Sequence, residues 1–243
     1  MMLKLIVIRY NRNARLNRLA SWYDGRSVNL DPRWLEERKR LFLSYCWPSL
    51  ARQSDPDFQV LLLMDPETDP HYVSALRVDD RVIPVFAGET AKDAVLSLLS
   101  QEFAGRTGGY SHLWTTRLDS DDALAPDYLR TVEKAAANIT IGADGAYFVF
   151  PKGQQYIEKT GVYRDYIYPR NAFGTLIEPF DPSTIRTVYK KDHDKIAQEP
   201  YAHSLGGRRA QWCMVIHDRN VLNTPRGNPR SEPDFRIGPN ADL

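Results

Sequence analysis

Short apolar runs alternate with amphipathic stretches through the first 150 residues. Leu3-Lys4-Leu5-Ile6-Val7-Ile8 is dominated by branched apolar residues and ends at the polar Arg9-Tyr10-Asn11, which predicts a first strand leaving a sheet there. Asp31-Pro32 supplies an N-cap and a proline at the first helical position. Trp34, Leu35, Leu41, Phe42, Tyr45 and Cys46 then share one helical face, and Pro48 is expected to end the helix. Phe58 to Met64 and Arg81 to Phe86 predict the second and third strands, with a short helix near Tyr72 to Leu76 between them. Thr90 to Phe103 reads as an amphipathic helix carrying Ala94, Val95, Leu98 and Leu99, broken by Gly105 and Gly108-Gly109. Ser111 to Leu118 returns to strand, a helix started by Pro126 runs to about Ala137, and Gly145 to Phe150 gives a further strand.

Such a rhythm calls for an α/β fold: a mainly parallel, Rossmann-like sheet flanked by helices, which binds ligands beyond the carboxyl ends of its strands. Arg9, Asp65 and Asp119 all lie at such ends. Residues 1–150 are therefore read as a nucleotide-binding half. From Pro151 onward Gly153, Gly161 and Gly174 punctuate aromatic segments with Tyr156, Tyr163, Tyr166, Tyr168 and Phe173, the pattern of a smaller, mixed acceptor-side half over 151–223. Residues 224–243, rich in Pro, Gly, Asn and Arg without apolar periodicity, are expected to be an extended or disordered tail on this single catalytic domain.

Composition narrows the class without naming the chemistry. With 42% hydrophobic and 26% charged residues, the 243-residue chain is that of a globular protein and not a fibrous or membrane-spanning one. A formal net charge of +1 gives no field that argues for nucleic acid, although Arg208-Arg209 could meet phosphates locally. The run from Leu3 to Ile8 is too short for a signal peptide's apolar core, so a cytoplasmic location is expected, with peripheral association at the inner membrane as an option. Cys46 and Cys213 lie among apolar neighbours and are expected to be buried reduced thiols.

Clustered carboxylates follow the predicted strand in Thr116-Arg117-Leu118-Asp119-Ser120-Asp121-Asp122. A diphosphate leaving group gains charge as its bond to a sugar breaks, and a Mg²⁺ or Mn²⁺ ion held by such oxygens would stabilise it. A rival reading is a turn whose Asp side chains bond local amides. A calcium loop fails, because counting from Asp119 puts Ala123, Leu124 and Arg130 where an oxygen ligand, Gly and Glu are needed.

Together Val7-Ile8-Arg9-Tyr10-Asn11, Cys46-Trp47-Pro48-Ser49-Leu50 with Gln53, the Asp119 segment, and Trp212-Cys213-Met214-Val215-Ile216-His217 make the chain resemble the bacterial rhamnosyltransferases. That family is related to the family 2 glycosyltransferases. The resemblance covers the chain to about Asn220 and implies a GT-A fold, a nucleoside diphosphate sugar as donor, a glycan or glycolipid acceptor, and inverting transfer, with L-rhamnose the sugar of the family's label. It also implies a metal set of Asp119, Asp121 and His217, with Asp119 reaching the ribose as well and Asp122 supporting. A buried histidine bonded to a carbonyl is the alternative for His217.

Under the same resemblance Arg9, Asn11 and Asp65 lie near the nucleotide, Arg117 meets the diphosphate, and Trp212 stacks on a sugar or fills core. Each of the first three could instead be a loop cap, and Arg117 could pair with a structural carboxylate. An inverting enzyme needs a proton acceptor for the attacking hydroxyl. Glu178 is the preferred candidate, with Asp181, His193 and Asp194 as others. Two further function classes stay open: a non-catalytic carbohydrate-binding or scaffold protein, and a sugar nucleotidyltransferase. The absence of glycine from Arg9-Tyr10-Asn11-Arg12-Asn13 argues against the second.

Overall fold

The computed structural model describes residues 1–12, 28–86, 92–93, 95–96, 98, 109–218, 220 and 223–238. Strand β1 (Met2–Arg9) is buried from Leu3 through Ile8 because both its faces are covered. Leu3, Leu5 and Val7 pack into one cluster with Leu61, Leu63 and Leu113, while Ile6 and Ile8 pack into another with Val60, Leu62 and Trp114. The polar interruption, Lys4, is buried as well and forms ion pairs with Asp55 and Glu133.

Parallel to β1 run β2 (Gln59–Leu63) on one side and β4 (His112–Asp119) on the other, and β3 (Val82–Val85) lies parallel to β2. Beyond β4 come β9 (Thr175–Pro179), antiparallel, then β6 (Ala146–Val149) and β10 (Ala202–Ser204). The order of this seven-stranded sheet is β3-β2-β1-β4-β9-β6-β10. A second, five-stranded sheet is ordered β12 (Asn228–Arg230), β8 (Val162–Ile167), β7 (Lys152–Ile157), β11 (Trp212–Ile216), β5 (Ala123–Leu124). The expected α/β layout, a sheet with a parallel β3-β2-β1-β4 run flanked by helices, is thus present. The two halves are not successive stretches of chain, however, because β9 and β10 join the sheet built by the first half.

Asp31 caps α1 (Pro32–Leu41) by accepting the Arg33 N–H at 2.8 Å. Pro48 does not end this helix. A π-helical turn, Phe42–Cys46, carries the Trp47 N–H back to the Phe42 carbonyl, and Pro48 enters the first turn of α2 (Trp47–Ala51), where a missing N–H is harmless. Helix α3 (Pro70–Leu76) and helix α4 (Tyr128–Ala136) complete the longer helices. Of the helix expected over 90–103, residues 92–93, 95–96 and 98 are helical, with Val95 and Leu98 buried; Ala94, Leu99, Gly105 and Gly108 lie outside the described residues.

Residues 224–238 do not hang free. β12 pairs with β8, Ile237 is buried, and its N–H donates to Tyr163 Oη at 2.9 Å. Cys46 and Cys213 are buried free thiols. Among the described residues no helix is long and apolar enough to cross a membrane.

Gly153 on β7 faces the Trp212 indole so closely that a Cβ there would collide with the ring. Trp212 cannot retreat, since it stacks on Phe173 at 4.7 Å and donates Nε1–H to the Phe150 carbonyl at 2.8 Å. Gly153→Ala is expected to cost about 1–3 kcal/mol, read as a lowered urea midpoint at unchanged slope.

Candidate active site

Where β4 ends, the chain crosses from the large sheet to the small one through Asp119, Ser120, Asp121 and Asp122, and β5 begins at Ala123. The Asp122 N–H donates to the Asp119 carbonyl at 3.1 Å, closing the turn. Asp122 Oδ1 accepts the Val215 N–H at 2.9 Å, which ties the turn to β11. Asp121 Oδ2 lies 3.0 Å from Arg38 Nη1 and 3.1 Å from His217 Nε2. His217 follows β11 directly, and Asn220 holds it by accepting its backbone N–H at 2.7 Å. Thus α1 and β11 each send one side chain to a single carboxylate that follows β4.

Asp119 keeps about a third of its side-chain surface exposed and faces two more guanidinium groups, Arg9 Nη2 at 3.8 Å and Arg117 Nη2 at 4.0 Å. Both guanidiniums lie over the Tyr189 ring, 5.1 and 5.2 Å from its centroid, and Tyr189 is fixed by donating its hydroxyl to the Val7 carbonyl at 3.0 Å. Around these residues opens a cavity of about 630 Å³, lined by Arg9, Arg12, Arg38, Arg117 and Arg226, by Asp119, Asp121, Asp122 and Asp192, and by Tyr10, Tyr166, Tyr168 and His193 among others. That volume suits a small-molecule ligand. Three buried donors at its wall, Tyr10 Oη, Arg38 Nη1 and Arg117 Nε, have no hydrogen-bond partner, the Arg38–Asp121 contact being an ion pair outside hydrogen-bond geometry.

Electrostatics separate the adjacent carboxyls. Burial favours the protonated form of Asp121, but Arg38 and His217 outweigh it and hold the group below the usual carboxylate range. Asp122 is pushed well above that range by burial and by the charges of Asp121 and Asp119. Burial, with Arg117 nearby, lowers His193 below its ordinary value and favours neutral imidazole.

Of the residues singled out from sequence, Arg9, Arg117, Asp119, Asp121 and Asp122 meet at this cavity. Others do not. Asn11 is a buried clasp: Nδ2 donates to the Asn29 carbonyl and to Thr68 Oγ1, while Oδ1 accepts the Asp65 N–H at 3.1 Å. Asp65 in turn accepts from Asn29 Nδ2 at 2.7 Å and caps the Glu67 N–H, and neither residue lines the cavity. Trp212 is core. Glu178 is wrongly placed for a base: β9 runs antiparallel to β4, so Glu178 pairs with Leu113 near the start of β4, at the opposite end from Asp119. Its carboxylate is taken by Arg186 and by the Arg186 and Thr187 N–H groups. Asp181 and Asp194 are exposed and do not line the cavity, whereas His193 does.

The expected metal set is not assembled either. Asp121 Oδ2 is engaged by a guanidinium and an imidazole, Asp119 is flanked by two further guanidiniums, and a divalent cation would be repelled by all three arginines. Among the described residues, no three His, Cys, Asp or Glu side chains converge as metal ligands. As placed, with Asp121 paired with Arg38 and Asp119 between Arg9 and Arg117, the donor set of Asp119, Asp121 and His217 does not fit a divalent ion. Arg38 and Tyr189 were not foreseen. Arg38 sits in the run Glu36-Glu37-Arg38-Lys39-Arg40, which reads as a solvated helix face, and its only signal is Trp34 one turn earlier, whose ring lies 5.1 Å from its guanidinium carbon.

The family model described as "Putative rhamnosyl transferase" matches residues 11–229. No curated protein matches the sequence. Similar solved structures include TarS 1-349 of S. aureus in complex with UDP, at 14% identity and TM-score 0.45, covering 89% of this chain and 61% of that one. A putative nucleotide-diphospho-sugar transferase from Desulfovibrio desulfuricans G20 is similar at 14% identity and TM-score 0.39, covering 89% and 82%. So is a 4-diphosphocytidyl-2C-methyl-D-erythritol synthase, at 13% identity and TM-score 0.39, covering 93% and 94%. The chain thus spans 61% of the length of the TarS fragment.

The two buried carboxyls should respond oppositely to amidation. Asp121→Asn strips Arg38 of its counter-charge and is expected to cost about 3 kcal/mol at pH 7. Because Asp121's pKa is lowered by folding, wild type keeps this stabilisation at every pH above the unfolded value of about 4. Asp122's is raised, so its contribution falls as pH rises from about 4 towards the folded value. Asp122→Asn still accepts the Val215 N–H and should gain on wild type as pH rises. Urea melts from pH 4 to 8 check both, and equal losses for the two variants would contradict the assignment.

Proposed function

The chain belongs to the putative rhamnosyl transferase family, and from that premise we propose that it transfers a sugar from a nucleoside diphosphate to a glycan hydroxyl, inverting the anomeric carbon. Rhamnose as the sugar rests on the family's description. The observation that carries the reading is the cavity at the carboxyl ends of β1 and β4, where five arginines line the wall and three buried donors have no hydrogen-bond acceptor. An anionic diphosphate supplies charge opposite to the arginines and acceptor oxygens for the unpartnered donors.

In the proposed reaction the acceptor oxygen attacks the anomeric carbon, the bond from that carbon to the diphosphate oxygen breaks, and the hydroxyl proton passes to a base. With Glu178 at the far end of the sheet, His193 is the imidazole at the cavity wall suited to that role, since its neutral form is favoured there. Its Nδ1 lies 3.4 Å from Arg117 Nη1, beside a guanidinium proposed to meet the diphosphate. Tyr166 and Tyr168, stacked at 5.5 Å at the cavity wall, offer aromatic faces to a sugar.

Thermal unfolding with thymidine, uridine and guanosine diphosphates tests the donor assignment, because a ligand of the native state must raise its melting temperature. A shift with at least one is expected; none from folded protein would contradict it. His193→Ala should keep that shift and lower transfer about 10²-fold or more. Because folding lowers its pKa, the acid limb of the wild-type pH profile should fall below about 6.5.

A further inference from the structure

Transfer from a nucleoside diphosphate leaves a charge on the departing diphosphate that some cation must neutralise. The carboxylates that would hold a metal for this purpose are already committed. Asp121 Oδ2 is shared by Arg38 at 3.0 Å and His217 at 3.1 Å, and Asp119 Oδ1 lies between Arg9 at 3.8 Å and Arg117 at 4.0 Å.

We infer that the chain supplies this cation itself: Arg38, anchored by Asp121 and flanked by Arg9 and Arg117, meets the diphosphate in place of a divalent metal. The inference rests on the donor assignment proposed above and identifies what binds the donor's charge. Three features of the site carry it.

First, Arg38 is oriented before any ligand arrives. Asp121 holds one end of its guanidinium, and the Trp34 ring lies 5.1 Å from its Cζ on the same helix. Arg38 still keeps 23% of its side-chain surface exposed and lines the cavity, so an anion can reach it. Second, Arg9 and Arg117 are set side by side over Tyr189, and Arg117 Nε is buried without an acceptor. Third, positive charge is in excess at the cavity wall, where five arginines face four aspartates. Adding an anion relieves that excess, whereas adding a dication increases it.

In the reaction the electron pair of the broken bond stays on the diphosphate oxygen, the proton of the acceptor hydroxyl goes to the base, and the guanidiniums stay protonated throughout. Fixed guanidinium groups need no reorganisation as charge develops, and their planar forks can donate two bonds to one phosphate. Asp121 then acts as a positioning residue for Arg38, and His217 holds Asp121 from the other side.

Isothermal titration of the full chain with uridine and thymidine diphosphates, in EDTA and separately in Mn²⁺, tests this. The dissociation constant of the better ligand is expected to agree within about twofold between the two conditions, and to weaken about tenfold or more in Arg38→Gln. Arg38→Lys, which keeps charge but loses the fork, should fall between them. Binding by wild type that needs Mn²⁺ overturns the inference and leaves the donor assignment standing, whether or not the variants fold. Binding by neither nucleotide in either condition, from protein with a cooperative melt, overturns both.

Discussion

Everything at this site hangs on one ion pair, between Asp121 at the end of β4 and Arg38 on α1, in contact with His217 at the end of β11. The turn that carries Asp121 is also the crossing between the two sheets, and Asp122 in the same turn accepts a β11 N–H. A buried carboxylate needs a counter-charge, and a partly buried guanidinium needs one too. Satisfying both at this crossing fixes the approach of helix, large sheet and small sheet. The cavity is the space left where these three elements meet.

Once Asp121 is committed to Arg38, the electrostatics of the cavity follow. Burial and the charges of Asp121 and Asp119 push the Asp122 carboxyl up, disfavouring a further charge in the acidic run. The arginines keep theirs, and Tyr189 gathers two of them at the end of β1 and β4. The same carboxylates hold guanidinium groups in this structure, and on the proposed reading a segment that reads as a cation site anchors an anion site.

The strands of the large sheet were legible because burial on both faces leaves a near-continuous apolar run, as in Leu3 to Ile8. Asp119 and Asp121 were legible because carboxylates directly after such a strand fall at its ligand-binding end. Glu178 misled for a related reason. It also follows an apolar run, but β9 enters the sheet antiparallel, and an apolar run does not encode strand direction. Arg38 was hidden among charges of a helix whose other face is core. The C-terminal stretch read as a tail because its order comes from long-range contacts, β12 on β8 and Ile237 against Tyr163, which leave no periodic trace. Asn11 and Asp65 did cluster after β1 and β2 as their positions suggested, yet each is consumed by hydrogen bonds that close the loops there.

The most direct test of the central claim is a crystal structure with bound nucleoside diphosphate grown in Mn²⁺, with anomalous data collected at the manganese edge. The account predicts diphosphate oxygens bonded to Arg38 and Arg117, the Arg38–Asp121 pair intact, and no anomalous peak at Asp119 or Asp121. A manganese peak bonded to Asp121, with Arg38 displaced, would contradict it.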